Sequence, residues 1–84
     1  MRSEKNVFKM KLHEKLSIAA RLAADLEKRK IRPFEINHGI IDNPYIYDGK
    51  PIARRHIYYV SKGLKLDTIG TGTFLRIKTI LDNE

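Results

Sequence analysis

The sequence predicts an all-α fold, a small helical bundle built from three amphipathic segments. Apolar side chains recur at steps of three and four over residues 10–29, 51–62 and 71–82, which is the spacing of one helix face. A proline opens the second segment and a glycine follows it, as is common at helix boundaries. With 42% hydrophobic residues, the chain can close a core between these helices.

The first predicted helix, residues 10–29, carries a continuous apolar stripe. Its members are Leu12, Leu16, Ala19, Ala23 and Leu26, and Ile18, Ala20 and Leu22 widen it. Lys28, Arg29 and Lys30 fall in the last turn, where cations complement the negative end of the helix dipole. Pro33 is expected to stop the helix, because proline lacks a backbone donor and clashes with the preceding turn.

Residues 33–51 predict a short helix followed by a loop or small hairpin. Phe34, His38 and Ile41 share a helical face, and the Asn-Pro pair at residues 43–44 would end that helix. Beyond it, two β-favouring tyrosines precede an Asp-Gly turn signal.

The helix predicted over residues 51–62 separates an apolar face from a cationic and aromatic one. It begins at a proline and ends before Gly63. At about 100° per residue, Ala53, Ile57 and Val60 lie within a narrow arc that we expect to be buried. The residues that then point outward are Arg55, Tyr58, Tyr59 and Lys62, with Arg54 at one flank.

The last predicted helix, residues 71–82, follows a glycine-containing linker. Its inward-facing residues are Phe74, Ile77 and Leu81. The hydroxyl of Thr71 or Thr73 is expected to cap its start.

The alternative is an α+β fold with a small antiparallel sheet packed on the first helix. In that fold residues 45–47, 56–60 and 74–80 are strands. The last of these strands is supported by an alternating pattern, in which Leu75, Ile77, Thr79 and Leu81 alternate with Arg76, Lys78 and Ile80.

Length and charge limit the classes of function. An 84-residue chain makes one domain, here a basic N-terminal arm at residues 1–9 and a single domain at residues 10–84. The formal net charge of +7 favours a polyanionic partner, nucleic acid above all. No acidic residue stands between Asp48 and Asp67. The cations of that interval are Lys50, Arg54, Arg55, Lys62 and Lys65.

Cysteine content and hydropathy indicate the compartment. The chain has no cysteine, which excludes disulfides and cysteine-ligated metals and fits a reducing environment. Its apolar runs are too short for a membrane span or a signal sequence. We therefore expect a cytoplasmic protein, in the bacterial cytosol or nucleoid, with no membrane partner.

Catalytic patterns are weak throughout the sequence. His13, His38 and His56 are scattered without metal-ligand spacing. The Asp-Gly-Lys of residues 48–50 is similar to half of a nuclease metal motif, but a two-residue turn explains it with fewer requirements. We expect no enzyme activity, no metal and no small-molecule cofactor.

Two stretches of the second half carry a family pattern. They are residues 57–63, Ile-Tyr-Tyr-Val-Ser-Lys-Gly, and residues 72–81, Gly-Thr-Phe-Leu-Arg-Ile-Lys-Thr-Ile-Leu. These stretches resemble the recognition helix and the next helix of the Cro and lambda repressor-like (XRE) helix-turn-helix family. The resemblance implies a homodimeric repressor of phage or bacterial type that reads the major groove of double-stranded DNA. The residues it implies for base readout are Arg54, Arg55, His56, Tyr58 and Tyr59.

Cations and hydroxyls around that helix would hold the DNA backbone. The residues expected in this role are Lys50, Lys62, Lys65, Thr71, Thr73 and Arg76. A charged face that only meets solvent is a simpler interpretation of the same residues. A protein-interaction module, such as an antitoxin or a phage inhibitor, would instead use the four tyrosines as anchors, and an RNA-binding protein would stack them on unpaired bases.

Overall fold

The structure, a computed structural model, describes residues 9–84, which form four helices and a two-stranded antiparallel sheet. The helices are α1 (Leu12–Arg29), α2 (Pro33–Asn37), α3 (Arg54–Lys62) and α4 (Thr71–Asp82). Strands β1 (Ile46–Tyr47) and β2 (Lys50–Pro51) lie between α2 and α3. The fold is thus a mostly helical bundle, as predicted, with a small sheet of the kind that the alternative included.

The N-terminal arm predicted at residues 1–9 lies outside the described residues except for Lys9. From Met10 onward the buried apolar side chains form one core cluster. Among the helices of residues 9–84, none is both long enough and apolar enough to cross a lipid bilayer.

α1 packs against both α3 and α4 along one face. Its buried apolar residues are Ile18, Ala19, Leu22 and Leu26. The predicted stripe is wrong at three residues, since Leu12 and Leu16 are 58% and 48% exposed and Ala20 is exposed as well. Residues spaced three or four apart form several neighbouring rows on a helix, and α3 and α4 cover the row that contains Leu22.

α3 and α4 complete the core with the residues predicted for it. The buried residues are Ile57 and Val60 on α3, and Phe74, Ile77 and Leu81 on α4. α3 ends before Gly63 as predicted, because the φ of 72° at this residue is a left-handed conformation that glycine adopts without strain.

The start of α3 differs from the prediction. The sequence predicts Pro51 in its first turn, but this residue lies in β2, where an edge strand tolerates the missing amide hydrogen. The predicted burial of Ala53 is also wrong, because Ala53 precedes the helix and is exposed. Ile52, which is 5% exposed, fills the core in its place.

The hairpin forms where the Asp-Gly signal predicts a turn. The paired residues are Ile46 with Pro51 and Tyr47 with Lys50. Asp48 and Gly49 have φ values of 53° and 78°, the left-handed conformations of a two-residue turn that matches strand twist. The other two strands of the α+β alternative are wrong, because residues 56–60 and 74–80 lie in α3 and α4.

α2 is the short second helix that the sequence predicts. The carboxylate of Glu35 accepts a hydrogen bond from the backbone N–H of Arg32 at 3.0 Å and secures the first turn. α2 ends earlier than its apolar spacing suggests, since His38 and Ile41 lie beyond it. Gly39, with φ 71°, turns the chain away.

The segment between α3 and α4 is packed onto α1, although its sequence reads as a linker. Leu66 and Ile69 are buried. The ammonium of Lys15 donates to the backbone carbonyl oxygens of these two residues at 2.8 and 3.2 Å.

α4 begins without the predicted threonine cap. Gly70 occupies the capping position, so Thr71 comes one residue too late to accept from the first free amides. No side chain caps this helix. The Thr71 hydroxyl oxygen instead accepts a hydrogen bond from the backbone N–H of Met10 at 3.2 Å, which ties the segment before α1 to α4.

A polar network joins α1, the residue before β1 and Glu84, with Asp25 and Tyr45 as its buried members. Tyr45 is 0% exposed, and its hydroxyl donates to Oδ2 of Asp25 at 2.6 Å. Nε of Arg29 donates to the same oxygen at 2.7 Å, and its Nη2 donates to Glu84 at 2.9 Å. Because a buried carboxylate is costly without such partners, the network holds Tyr45 against α1.

The same network sets the pKa of Asp25. Burial raises the pKa of this carboxyl, but the hydrogen bonds that Tyr45 and Arg29 donate to it, together with the positive charge of Arg29, prevail and leave the pKa below the ordinary value of 3.8. Burial, followed by the hydrogen bond to Asp25, raises the pKa of Tyr45, so this hydroxyl stays protonated as a donor.

Tyr45→Phe removes the hydroxyl and keeps the ring. We expect the free energy of unfolding to fall by about 1 to 3 kcal/mol, since Asp25 loses a buried donor. Urea denaturation measures it. Tyr47→Phe is the matched control, because Tyr47 is 39% exposed in the same hairpin and should change stability by less than about 0.5 kcal/mol. Equal losses in the two variants would contradict the network.

Stability should also fall in acid through Asp25. Its pKa is lower in the folded than in the unfolded state, so its contribution is complete above the unfolded value of about 4 and is lost as pH falls through the folded value. Asp25→Asn should therefore be less stable at neutral pH and lose less stability on acidification. Urea unfolding at stepped pH tests this, and an unchanged acid dependence in Asp25→Asn would refute it.

Candidate nucleic-acid interface

α3 carries charged and aromatic side chains opposite its buried face. Ile57 and Val60 are both 0% exposed. Because successive residues on a helix are about 100° apart, burial of these two directs Arg55, Tyr58 and Lys62 outward, and all three are exposed. The predicted outer face therefore exists at these three residues, but Tyr59, which was predicted to point outward with them, is half-buried.

Two lysines cover the tyrosine rings of α3. Tyr58 and Tyr59 meet edge to face with ring centroids 5.6 Å apart. The ammonium of Lys62 lies 6.0 Å from the Tyr58 centroid, and that of Lys65 lies 5.2 Å from the Tyr59 centroid, both within cation–π range. Tyr59 is half-buried and packs on the core, so Tyr58 is the ring more open to a ligand.

A second group of cations gathers at the start of α3. Burial lowers the pKa of His56, and the positive charges of Arg55 and Arg76 lower it further. Arg76 comes from α4 and shares a surface cleft with Lys50 of the hairpin, where Asp48 is the acidic neighbour. Three separate elements thus place positive charge at one end of α3.

The ion pairs involve cations other than those on this face. In the part of the chain that the structure describes, the pairs are Arg21 and Lys78 with Asp82, Arg29 with Asp25 and Glu84, and Arg32 with Glu35. Across residues 9–84, none of the six cations on and around α3 belongs to an ion pair. These six are Lys50, Arg54, Arg55, Lys62, Lys65 and Arg76.

Some predicted contact residues are less accessible than others. Arg54 and His56 are half-buried at the flank of α3. Thr71 and Thr73 are also half-buried, and the Thr71 oxygen already accepts the bond from Met10. The exposed predicted contacts are therefore Lys50, Arg55, Tyr58, Lys62, Lys65 and Arg76.

Two further cations meet α3 at its other end. Lys30 and Arg32, which follow α1, line one groove with Lys62 of α3. The sequence explains Lys30 as a complement to the helix dipole, which points to no contact with α3. The density of cations over residues 28–32 is the signal that could have indicated this groove.

The connection between α2 and α3 is long. The two helices contact each other, but residues 38–53, which contain the hairpin, join them. A helix-turn-helix typically uses a turn of three or four residues at this point.

No known protein family, curated protein or solved structure matches the chain. Within residues 9–84, no three His, Asp or Glu side chains gather where they could hold a metal ion.

Arg76→Gln should raise the pKa of His56 toward its ordinary value of 6.5. The reason is that one of two neighbouring positive charges is removed while burial and Arg55 remain. An NMR titration of the His56 imidazole protons measures the shift. Lys28→Gln, an equal loss of charge on α1, should leave this pKa unchanged. Equal titration of His56 in the wild type and Arg76→Gln would rule out the proximity of Arg76.

Proposed function

We propose that this protein binds double-stranded DNA and regulates transcription, with α3 lying in the major groove. The observation that carries the proposal is the separation of charge. Among the described residues, the ion pairs involve cations of α1, α4 and the start of α2, while the six cations on and around α3 form none. On a chain of net charge +7, such a face attracts phosphate.

The dimensions of α3 suit a DNA groove. A helix of 9 residues is about 14 Å long. The major groove of B-DNA is about 12 Å wide and admits one helix. Cations at both ends of α3 would then lie near the phosphates of the two strands that border the groove.

The exposed side chains divide into two roles. Arg55 projects from the first turn and is suited to bind guanine O6 and N7 as a fork, with Arg54, His56 and Tyr58 beside it and Tyr59 supporting Tyr58. The backbone contacts proposed for phosphate are Lys50, Lys62, Lys65 and Arg76, with Thr71 and Thr73 as secondary donors.

The proposal extends to a homodimeric repressor in the bacterial cytosol or nucleoid. Its support is the resemblance of residues 57–63 and 72–81 to the XRE family. A dimer of that kind would bind two half-sites about one helical turn of DNA apart.

Arg55→Ala and Lys65→Ala should have different effects on duplex binding. After selection of a preferred duplex from random DNA, Arg55→Ala should lose about 1 to 3 kcal/mol of discrimination between that duplex and random sequence. Lys65→Ala should weaken both duplexes alike and reduce the slope of log K against log salt by about 0.9. Fluorescence anisotropy titrations on both duplexes measure these quantities.

Lys28→Ala is the control, since this exposed lysine on α1 lies away from α3 and should change neither quantity. Identical effects of Arg55→Ala and Lys65→Ala would defeat the division of roles. Tighter binding to single-stranded RNA than to any duplex would replace the proposal with RNA binding. Absence of nucleic-acid binding would favour a protein-interaction module that uses the exposed Tyr47 and Tyr58.

A further inference from the structure

A groove runs between the end of α1 and the end of α3. Three cations line it: Lys30 and Arg32 from the connection after α1, and Lys62 from α3. Glu27 is the acidic residue of its lining, Ser61 adds a hydroxyl, and Leu26 contributes to an apolar floor. The charge of the lining side chains is therefore positive, with three cations against one acid.

Backbone hydrogen bonds fix the position of Lys30 at the end of α1. Its φ of 59° is left-handed, and its N–H donates to the carbonyl oxygen of Glu27 at 3.1 Å. The next N–H, that of Ile31, donates to the carbonyl oxygen of Leu26 at 2.9 Å, which closes the end of α1. Lys30 thus extends from a fixed turn and not from a frayed helix end.

The cations of the groove are available for a new partner. In the described part of the chain, neither Lys30 nor Lys62 forms an ion pair. Arg32 has a side chain that is 73% exposed and reaches Glu35 at 3.6 Å, a distance and exposure at which an ion pair contributes little. Arg29, by contrast, is occupied by Asp25 and Glu84.

We propose that Lys30 and Arg32, together with Lys62, bind the phosphate backbone of DNA at one edge of the major groove in which α3 lies. This inference rests on the proposed function and deepens it. The cleft of Lys50 and Arg76 lies at the start of α3, and the groove of Lys30, Arg32 and Lys62 lies at its end. The two surfaces would therefore contact opposite DNA strands across the major groove. The ligand is the phosphate backbone of a duplex, so binding by these three cations does not depend on the base sequence.

The test compares Lys30→Gln with Lys28→Gln. Both variants remove one charge from an exposed lysine of the same cationic run, but Lys28 does not line the groove. Binding to a random-sequence duplex is titrated between about 50 and 200 mM salt, where each phosphate contact adds about 0.9 to the absolute value of the slope of log K against log salt. We expect Lys30→Gln to lower this absolute value by about 0.9 and Lys28→Gln to leave it unchanged. Lys30→Gln with Arg32→Gln should lower it by about twice as much.

Lys30→Arg distinguishes lost contact from lost structure, because arginine keeps the charge and should restore the slope. Urea denaturation of each variant verifies that the fold persists. If the wild type binds duplex DNA and Lys30→Gln has the same slope as Lys28→Gln, this inference is overturned while the proposed function stands. If the wild type binds no duplex, the proposed function fails and this inference fails with it.

Discussion

The hydrogen bond from the buried Tyr45 hydroxyl to Asp25 ties the segment between α2 and α3 to α1. The carbonyl oxygen of Tyr45 accepts from the N–H of Ile52 at 2.8 Å, beyond the far strand of the hairpin. The side chain of Asn43 bridges the same two residues, accepting from Tyr45 N–H at 2.9 Å and donating to the Ile52 carbonyl at 2.7 Å. Since α3 begins two residues later, at Arg54, a polar contact on α1 helps to set where that helix starts.

The face of α3 is electrostatically unfavourable by itself. Burial lowers the pKa of His56, and the charges of Arg55 and Arg76 lower it further, which means that they oppose a further positive charge there. Some cations elsewhere in the described residues are neutralised, as Arg29 is between Asp25 and Glu84. A surface that accumulates like charge costs stability, and phosphate oxygens would relieve that repulsion, which is the physical reason to infer a polyanionic partner.

Prediction from sequence succeeded where a few neighbouring residues decide the structure. The inward row of Ile57 and Val60 follows from helix periodicity, and the turn at residues 48–49 follows from the conformational freedom of Asp and Gly. It failed where a distant segment decides. Leu66 and Ile69 look like linker residues, yet both are buried and their carbonyl groups accept from Lys15. The Thr71 hydroxyl fits a helix cap by its position in the sequence, but it binds Met10 instead.

The sequence by itself determined the helical class, the hairpin turn, the end of α3 at Gly63 and the outward direction of Arg55, Tyr58 and Lys62. These features depend on spacing and backbone preference within a few residues, which the chain carries locally. Only the tertiary structure decided which row of α1 is buried and which cations lack an acidic partner. Both depend on contacts between residues far apart in the chain. α3 and α4 decide which row of α1 is buried. Folding also brings Lys30 near Lys62 and Arg76 near Lys50, while it pairs Arg21 with Asp82.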